Sequence, residues 1–193
     1  MKVPIKGGVL LISMVLSVSA FAQKKVQQFT VSRVIKAPAN KVWAVVGEDF
    51  GAIAKSHPGI ISSEYIGGTL KGGEGTERVC NLNEKGSKYT HERQVEYNPD
   101  EYRFKAKVFH ANGLPMDSKY TYAVYDVDPI DSNSSRLSFS MNYRTKPAFL
   151  GAVAKGGFKK TIAGYLLAVE HHVLTGETVN RDNFKSIKKQ YSE

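Results

Sequence analysis

The chain has 193 residues, 41% of them hydrophobic, and a formal net charge of +9. That length suits one domain with a substantial core, and the single cysteine, Cys80, excludes an intramolecular disulfide, a cysteine-based metal site and a thiol–disulfide pair. The positive charge is spread along strands and the tail rather than gathered in an aromatic-interleaved patch, which argues against a nucleic-acid partner.

Residues 1–22 are typical of a secretory signal peptide. Lys2 and Lys6 form a positive n-region, residues 8–18 an apolar core, and the sequence AFA, ending at Ala22, a small-x-small cleavage site. The apolar core is well short of the ~20 residues that a membrane-spanning helix needs. We therefore expect a periplasmic or secreted protein, cleaved near Ala22.

The first strand is predicted over residues 28–36, where apolar and polar residues alternate. The sequence APAN ends this strand, and Asn40 is predicted to cap the helix that begins KVWAVVG. A second short helical segment is predicted over 49–55. Two short helices are therefore expected after the first strand.

Six further strands are predicted, and turn residues separate them as antiparallel hairpins require. The last of them, and the strand that contains Phe104, each have one apolar and one polar face, which indicates a sheet covered on one side only. The six predicted ranges are 60–66, 75–82, 87–97, 101–110, 118–128 and 134–144.

A long helix is predicted from about residue 149 to about residue 178, with an apolar stripe along one side. The glycine pair at 156–157 predicts a kink or restart in this helix. The tail, 180–193, is polar and is predicted to be frayed. A single long helix after an antiparallel meander needs a curved sheet to lie against, and such a sheet encloses space for a ligand.

Five segments in this order resemble the START-like (SRPBCC) superfamily, in particular its polyketide cyclase/dehydrase and lipid-transport-like branch. They are VSRVIKAPANKVWAVV (31–46), DFGAIAKSHPGI (49–60), GGEGTER (72–78), GLPMDSKYTYAVYDVDP (113–129) and AGYLLAVEHHVLTGE (163–177).

The resemblance implies an α+β helix-grip fold over residues 23–179. A curved antiparallel sheet of about seven strands would surround the long C-terminal helix, with a hydrophobic cavity between them. Members bind lipids, sterols, hormones or polyketides, and a minority catalyse cyclisation or dehydration without a shared catalytic signature. Relatives often carry a tryptophan in the last strand, which here reads SFSMNYR, so Met141 and Tyr143 would shape this cavity differently.

The ligand-binding candidates are mainly apolar and aromatic residues placed inward by the predicted pattern. On strand 87–97 we place the odd positions inward, so that His91 and Arg93 would orient a carboxylate or carbonyl of the ligand. The alternative is a register shift or bulge that puts both in solvent. The other candidates for the lining are Tyr102, Phe104, Val108, Tyr120, Tyr122, Phe139, Met141, Phe158, Ile162 and Tyr165.

A lid over the cavity mouth is predicted at His110, Leu114 and Met116, because apolar residues at a loop tip are unusual in ordinary turns. His57 precedes Pro58 near the predicted opening of the cavity. It would act there as a gate or a ligand contact or, more simply, be an exposed loop residue. Arg78 is interpreted as one half of a buried ion pair, with a ligand contact as the alternative.

His171 and His172 are adjacent on the long helix and point ~100° apart, so they cannot share one metal ion. Solvent exposure is the expected state of both.

Three functions remain open from the sequence. The first is an exported protein that encloses a small hydrophobic or amphipathic ligand, such as a lipid, a sterol or a polyketide-like compound. The second is a polyketide cyclase- or dehydratase-like enzyme using the same cavity, and the third is a protein-interaction module with a filled core. No cofactor or metal motif is present in the sequence. The oligomeric state is undetermined, and transient contact with anionic membranes stays open.

Overall fold

The computed structural model describes residues 26–67 and 71–192. The predicted signal peptide, residues 1–22, lies outside these ranges. The frame is a seven-stranded antiparallel sheet in the order β1-β7-β6-β5-β4-β3-β2. The strands are β1 (Gln27–Ile35), β2 (Ser62–Ile66), β3 (Glu77–Asn81), β4 (Tyr89–Asn98), β5 (Arg103–Asn112), β6 (Tyr122–Asp131) and β7 (Ser134–Tyr143).

Two short helical segments fill the long connection between β1 and β2. Helix α1 (Ala39–Trp43) runs on into a π-helical turn (Ala44–Glu48), and a 3₁₀ segment (Phe50–Lys55) follows. Asn40 is not the cap, because the helix already begins at Ala39 and the carbonyl of Pro38 accepts the first N–H groups. Pro38 is itself the N-cap residue, with the extended backbone (φ −60°, ψ 152°) that is usual at this position.

Helix α2 (Leu150–Thr175) lies across the concave face of the sheet, as the helix-grip architecture requires. The helix is continuous through Gly156 and Gly157, so it does not restart at this glycine pair. Its two halves differ in burial: residues 165–171 are buried in the core, whereas residues 152–164 are exposed or only partly buried. The C-terminal half therefore anchors the helix, and the N-terminal half covers the sheet less tightly.

The C-terminal tail is folded rather than frayed. Helix α3 (Phe184–Gln190) packs on α2, and Ile187, only 1% exposed, joins Leu167 and Val179 in a small second core. This packing also buries His171, which was expected to be exposed: its Nε2 lies 3.0 Å from a Glu177 carboxylate oxygen and its Nδ1 3.2 Å from the Tyr191 hydroxyl. The prediction that His171 is exposed failed because its burial depends on the packing of α3 against α2, which the local sequence pattern does not indicate.

Within residues 26–67 and 71–192, none of the helices has the length and apolar character needed to cross a bilayer.

The glycines of α2 generate a prediction about stability. A Cβ added at Gly157 would meet nothing within 4 Å, and glycine in a helix interior costs about 1 kcal/mol relative to alanine. We expect Gly157→Ala to raise the free energy of unfolding by about 0.5–1 kcal/mol in urea denaturation. Gly47→Ala is the contrast, because its Cβ would lie 2.5 Å from a ring carbon of Trp43 and should destabilise the protein. Destabilisation by Gly157→Ala would contradict the open position assigned to this residue.

Candidate functional site

A cavity of about 250 Å³ lies between the concave face of the sheet and the N-terminal half of α2. It is slightly smaller than the ~300–1,000 Å³ common for small-molecule sites. Its wall is mostly apolar, so that burial of a ligand's hydrocarbon surface is the main interaction that it offers. The apolar lining comprises Ile53, Ile60, Leu82, Ala106, Val108, Leu114, Met116, Ala123, Phe139, Met141, Phe158 and Ile162.

Many of the residues predicted from the sequence to line the site lie at this cavity. Leu114 and Met116, predicted to belong to a lid, are part of the lining. Tyr122 lies at an edge of the wall, with its ring 5.1 Å from the ammonium group of Lys105. The other predicted residues on the wall are Val108, Phe139, Met141, Phe158, Ile162 and Tyr165.

Three other predicted aromatic residues lie outside the cavity. The rings of Tyr102 and Phe104 face inward but pack against Trp43, each 5.8 Å from it, at the end of the core that α1 fills. Tyr120 lies in a 3₁₀ turn (Ser118–Tyr120), where its ring is 5.0 Å from the guanidinium of Arg144. Alternation along a strand gives the face on which a residue lies but not whether it reaches the cavity.

His110 is exposed and does not reach the cavity mouth. In the pairing of β4 with β5, His91 pairs with His110 but Glu92 pairs with Val108, so Phe109 forms a bulge. Because a one-residue bulge reverses the faces beyond it, His110 does not follow Val108 inward. Its ring lies beside that of Tyr89, with a centroid separation of 5.6 Å.

The predicted orientation of β4 was wrong at its centre. His91 and Arg93 lie on the outer face, where both bind Glu77: His91 Nε2 is 2.7 Å from one carboxylate oxygen, and Arg93 Nε donates to the other at 2.6 Å. The inward positions are polar residues, among them Thr90 and Gln94. The hydrophobic pattern misled because polar residues occupy both faces of this strand.

The third inward residue of β4, Glu92, forms an ion pair with Arg78 in the cavity wall. Arg78 is 3% exposed, and its Nε and Nη2 donate to one Glu92 oxygen at 3.0 and 2.6 Å. Its Nη1 donates to the carbonyl of Phe50 at 2.5 Å, and the guanidinium lies 3.8 Å from the centre of the Phe50 ring. The second Glu92 oxygen accepts a hydrogen bond from the Thr90 hydroxyl at 2.9 Å.

Both members of this pair remain ionised. Burial opposes each charge, but the positive charge and hydrogen bonds of Arg78 outweigh it and lower the pKa of Glu92. Burial also opposes the charge on Arg78, yet Glu92 raises the Arg78 pKa still further above its usual range. The interpretation of Arg78 as half of a buried ion pair is confirmed.

Neutral hydrogen-bonding groups surround the ion pair. His57 lines the cavity and packs on Tyr165 with ring centres 4.6 Å apart. The Gly59 N–H donates to its Nδ1 at 3.0 Å, so the neutral ring carries its proton on Nε2. Burial, and then the charge of Arg78, lower the His57 pKa to about 4. The expectation that this residue is merely an exposed loop histidine was wrong.

Two tyrosines add hydroxyl groups beside the ion pair. Burial raises the pKa of Tyr125 to about 12, and burial together with the neighbouring Tyr125 raises that of Tyr165 well above its usual value. Burial likewise raises the pKa of Cys80 to about 11, so that its thiol is not ionised at neutral pH. At neutral pH the cavity thus offers uncharged donors around a balanced ion pair.

Sequence reasoning missed Glu92, Thr90 and Tyr125. A signal for Glu92 did exist, because the β3–β4 hairpin register pairs it directly with Arg78. Opposite charges at paired positions on an inward face are expected to form an ion pair. Finding it required the register of the hairpin, which strand periodicity alone does not give. Within the described ranges, no group of acidic, histidine and cysteine side chains could hold a metal ion.

The fold and this cavity define a START-like (SRPBCC) helix-grip protein. Residues 26–172 match the sequence model of the family described as polyketide cyclase/dehydrase and lipid transport. The chain belongs to this family. No curated protein matches the sequence.

Solved structures show the same fold at low sequence identity. The Zhui aromatase/cyclase from Streptomyces sp. R1128 is 14% identical with a TM-score of 0.63, covering 77% of this chain and 93% of its own. Norcoclaurine synthase from Thalictrum flavum, in complex with dopamine and hydroxybenzaldehyde, is 19% identical with a TM-score of 0.58, covering 92% and 99%. Ara h 8.0201 is 22% identical with a TM-score of 0.61, covering 78% and 99%.

The environment of His57 generates a prediction about pH. Its folded-state pKa of about 4 lies below the ordinary value of 6.5, so on acidification the unfolded chain takes up this proton first. The contribution of His57 to stability is therefore complete above pH 6.5 and is lost as the pH falls toward about 4. An NMR titration should show the His57 ring neutral down to that range, and His57→Gln should lose less stability than the wild type between these two pH values. A ring midpoint near 6.5 would contradict the neutral assignment.

Proposed function

We propose that the protein is an exported binding protein that encloses a small hydrophobic or amphipathic molecule, of the lipid, sterol or polyketide-like kind. The observation that carries the proposal is the cavity itself, an apolar space with one polar corner beneath a loosely packed half-helix. Affinity would come from apolar burial at about 25 cal/mol per Å², and the polar corner would orient one end of the ligand.

The other two hypotheses are less well supported. A filled interaction module does not fit a cavity of about 250 Å³. A cyclase or dehydratase that works by general acid–base catalysis near neutral pH favours a group with a pKa close to that pH. His57 and Tyr125 lie far from it, with pKa values of about 4 and about 12, and Glu92 is held by Arg78. These groups suit hydrogen bonding to a ligand better than proton transfer.

Export is supported by the residue pattern of 1–22, which lies outside the described structure. One experiment tests export and binding together. Native mass spectrometry of protein from the exported fraction should show a chain that begins near Gln23 and carries a stoichiometric hydrophobic compound. A full-length chain would contradict export, and consistently empty protein would contradict the binding proposal.

A cavity-filling substitution tests where the ligand sits. Ala106 is buried in the cavity wall, so the larger side chain of Ala106→Leu should occupy ligand space and abolish the co-purified compound. Ala163→Leu is the matched control, since this exposed residue of α2 is not part of the wall and should leave the ligand in place. Retention of the compound by a folded Ala106→Leu variant would place the ligand elsewhere.

We further propose that α2 brings the cavity mouth to anionic membrane surfaces. Phe149 and Val153 are 67% and 81% exposed, and helical spacing puts them on the same side as the exposed Lys160, opposite Phe158 and Ile162. Exposed apolar side chains combined with lysine are the composition that binds an anionic bilayer interface. A ligand could then pass between the bilayer and the cavity along this half of the helix.

Vesicle sedimentation tests this contact. The double variant Phe149→Ser, Val153→Ser should bind phosphatidylglycerol vesicles several-fold more weakly than the wild type, because the apolar contribution is removed. Ile130→Ser is the matched control, since Ile130 is a 47% exposed apolar residue at the far end of β6. Equal losses in the two variants, or equal binding of the wild type to phosphatidylcholine vesicles, would contradict the proposed surface.

A further inference from the structure

The charges in the cavity wall cancel. Among the described residues that line it, the ionised side chains are Arg78 and Glu92, which pair with each other. His57 is neutral over the physiological range, as are the buried tyrosines. The site therefore has no net charge, although it contains a full positive and a full negative group.

We propose that this cavity selects uncharged ligands, whose polar end is a hydroxyl or a carbonyl, and discriminates against carboxylates with the same hydrocarbon chain. The inference rests on the proposed binding function and specifies the chemical class of its ligand. It also reverses the role expected for a cavity arginine, which would otherwise attract an anion.

The first argument concerns the hydrogen bonds that are already made. The Nε and Nη2 atoms of Arg78 each donate to Glu92, and Nη1 donates to the Phe50 carbonyl. The oxygens of Glu92 accept from Arg78 and from Thr90. An incoming carboxylate would either displace Glu92 from Arg78 or share the guanidinium with it. In both cases two negative groups would face a single positive one, and an uncompensated buried charge is strongly unfavourable.

The second argument concerns the neutral polar groups of the cavity. The Nε2–H of His57 and the hydroxyls of Tyr125 and Tyr165 are neutral groups in the same corner, where the two hydroxyls interact with each other and that of Tyr125 also with Arg78. Neutral donors satisfy a carbonyl or hydroxyl oxygen without altering the charge of the site. The rest of the ligand would lie along the apolar wall formed by Phe139, Met141 and Ile162.

The test compares three molecules of equal chain length: decan-1-ol, decan-2-one and decanoic acid. Isothermal titration calorimetry on the wild-type mature protein at neutral pH should show that the alcohol and the ketone bind about tenfold or more tightly than the decanoate anion. Binding of decanoic acid should strengthen as the pH is lowered and the acid becomes neutral.

Removing the negative charge of Glu92 should reverse the preference for uncharged ligands. Glu92→Gln leaves the positive charge of Arg78 without its partner, so decanoate should now bind more tightly than decan-1-ol. Glu77→Gln is the matched control, since Glu77 pairs with His91 and Arg93 on the outer face and its loss should leave the preference unchanged. Circular dichroism checks the folding of both variants. If Glu92→Gln does not fold, the relative affinities of the wild type for the three molecules test the inference by themselves.

The outcomes separate the two claims. Tighter or equal binding of decanoate by the wild type overturns the inference and leaves the cavity as a ligand site. Binding of none of the three molecules overturns the proposed function and the inference with it. Preference for the uncharged pair in the wild type, with inversion in a folded Glu92→Gln variant, supports both.

Discussion

The ion pair between Arg78 and Glu92 connects the parts of the structure that form the cavity. Its two side chains come from β3 and β4, and Arg78 also binds the carbonyl of Phe50 in the 3₁₀ segment, so that one guanidinium joins the sheet to the segment that closes one end of the core. Burying two charges is costly, and a buried pair is weak evidence for stability by itself. The pair does fix the position of the polar corner of the cavity, because this corner can form only where β3, β4 and the 3₁₀ segment meet.

The two halves of α2 differ in role: the C-terminal half holds the helix in the fold, and the N-terminal half covers the cavity. From Tyr165 to His171 the helix is buried, and it is held by packing against α3, by the ion pair of Glu170 with Arg33 and by the pairing of His171 with Glu177. Before Tyr165 it is exposed on one side and lines the cavity on the other. Opening of the N-terminal half would break few buried contacts, so access to the cavity does not require the core to unfold.

The polar groups of the cavity are better suited to hydrogen bonding than to proton transfer, because their pKa values lie far from neutral pH. The same fold is found in an aromatase/cyclase and in norcoclaurine synthase, and the fold alone does not decide between a binder and an enzyme. In this chain, burial and Arg78 lower the pKa of His57, whereas burial raises that of the tyrosines. The result is a site in which neutral donors surround a buried ion pair within an apolar wall.

The sequence by itself determined the architecture. It also determined which residues face inward on those strands in which apolar and polar residues alternate regularly. On β5 and β7 one face is almost wholly apolar, so Val108, Phe139 and Met141 could be placed at the cavity from their parity. The long helix was equally clear, because its apolar residues recur at helical spacing and only a curved sheet can accommodate it.

Tertiary structure decided everything that depends on register, bulges and packing between distant segments. On β4 polar residues occupy both faces, and only the pairing with β3 turns Glu92 toward Arg78 and leaves His91 and Arg93 outside. His57 is separated from Tyr165 by more than a hundred residues, and nothing local indicates that their rings pack together. Periodicity reports which side of an element is apolar, whereas a polar group buried in a cavity is stabilised by partners that only the completed fold brings within reach.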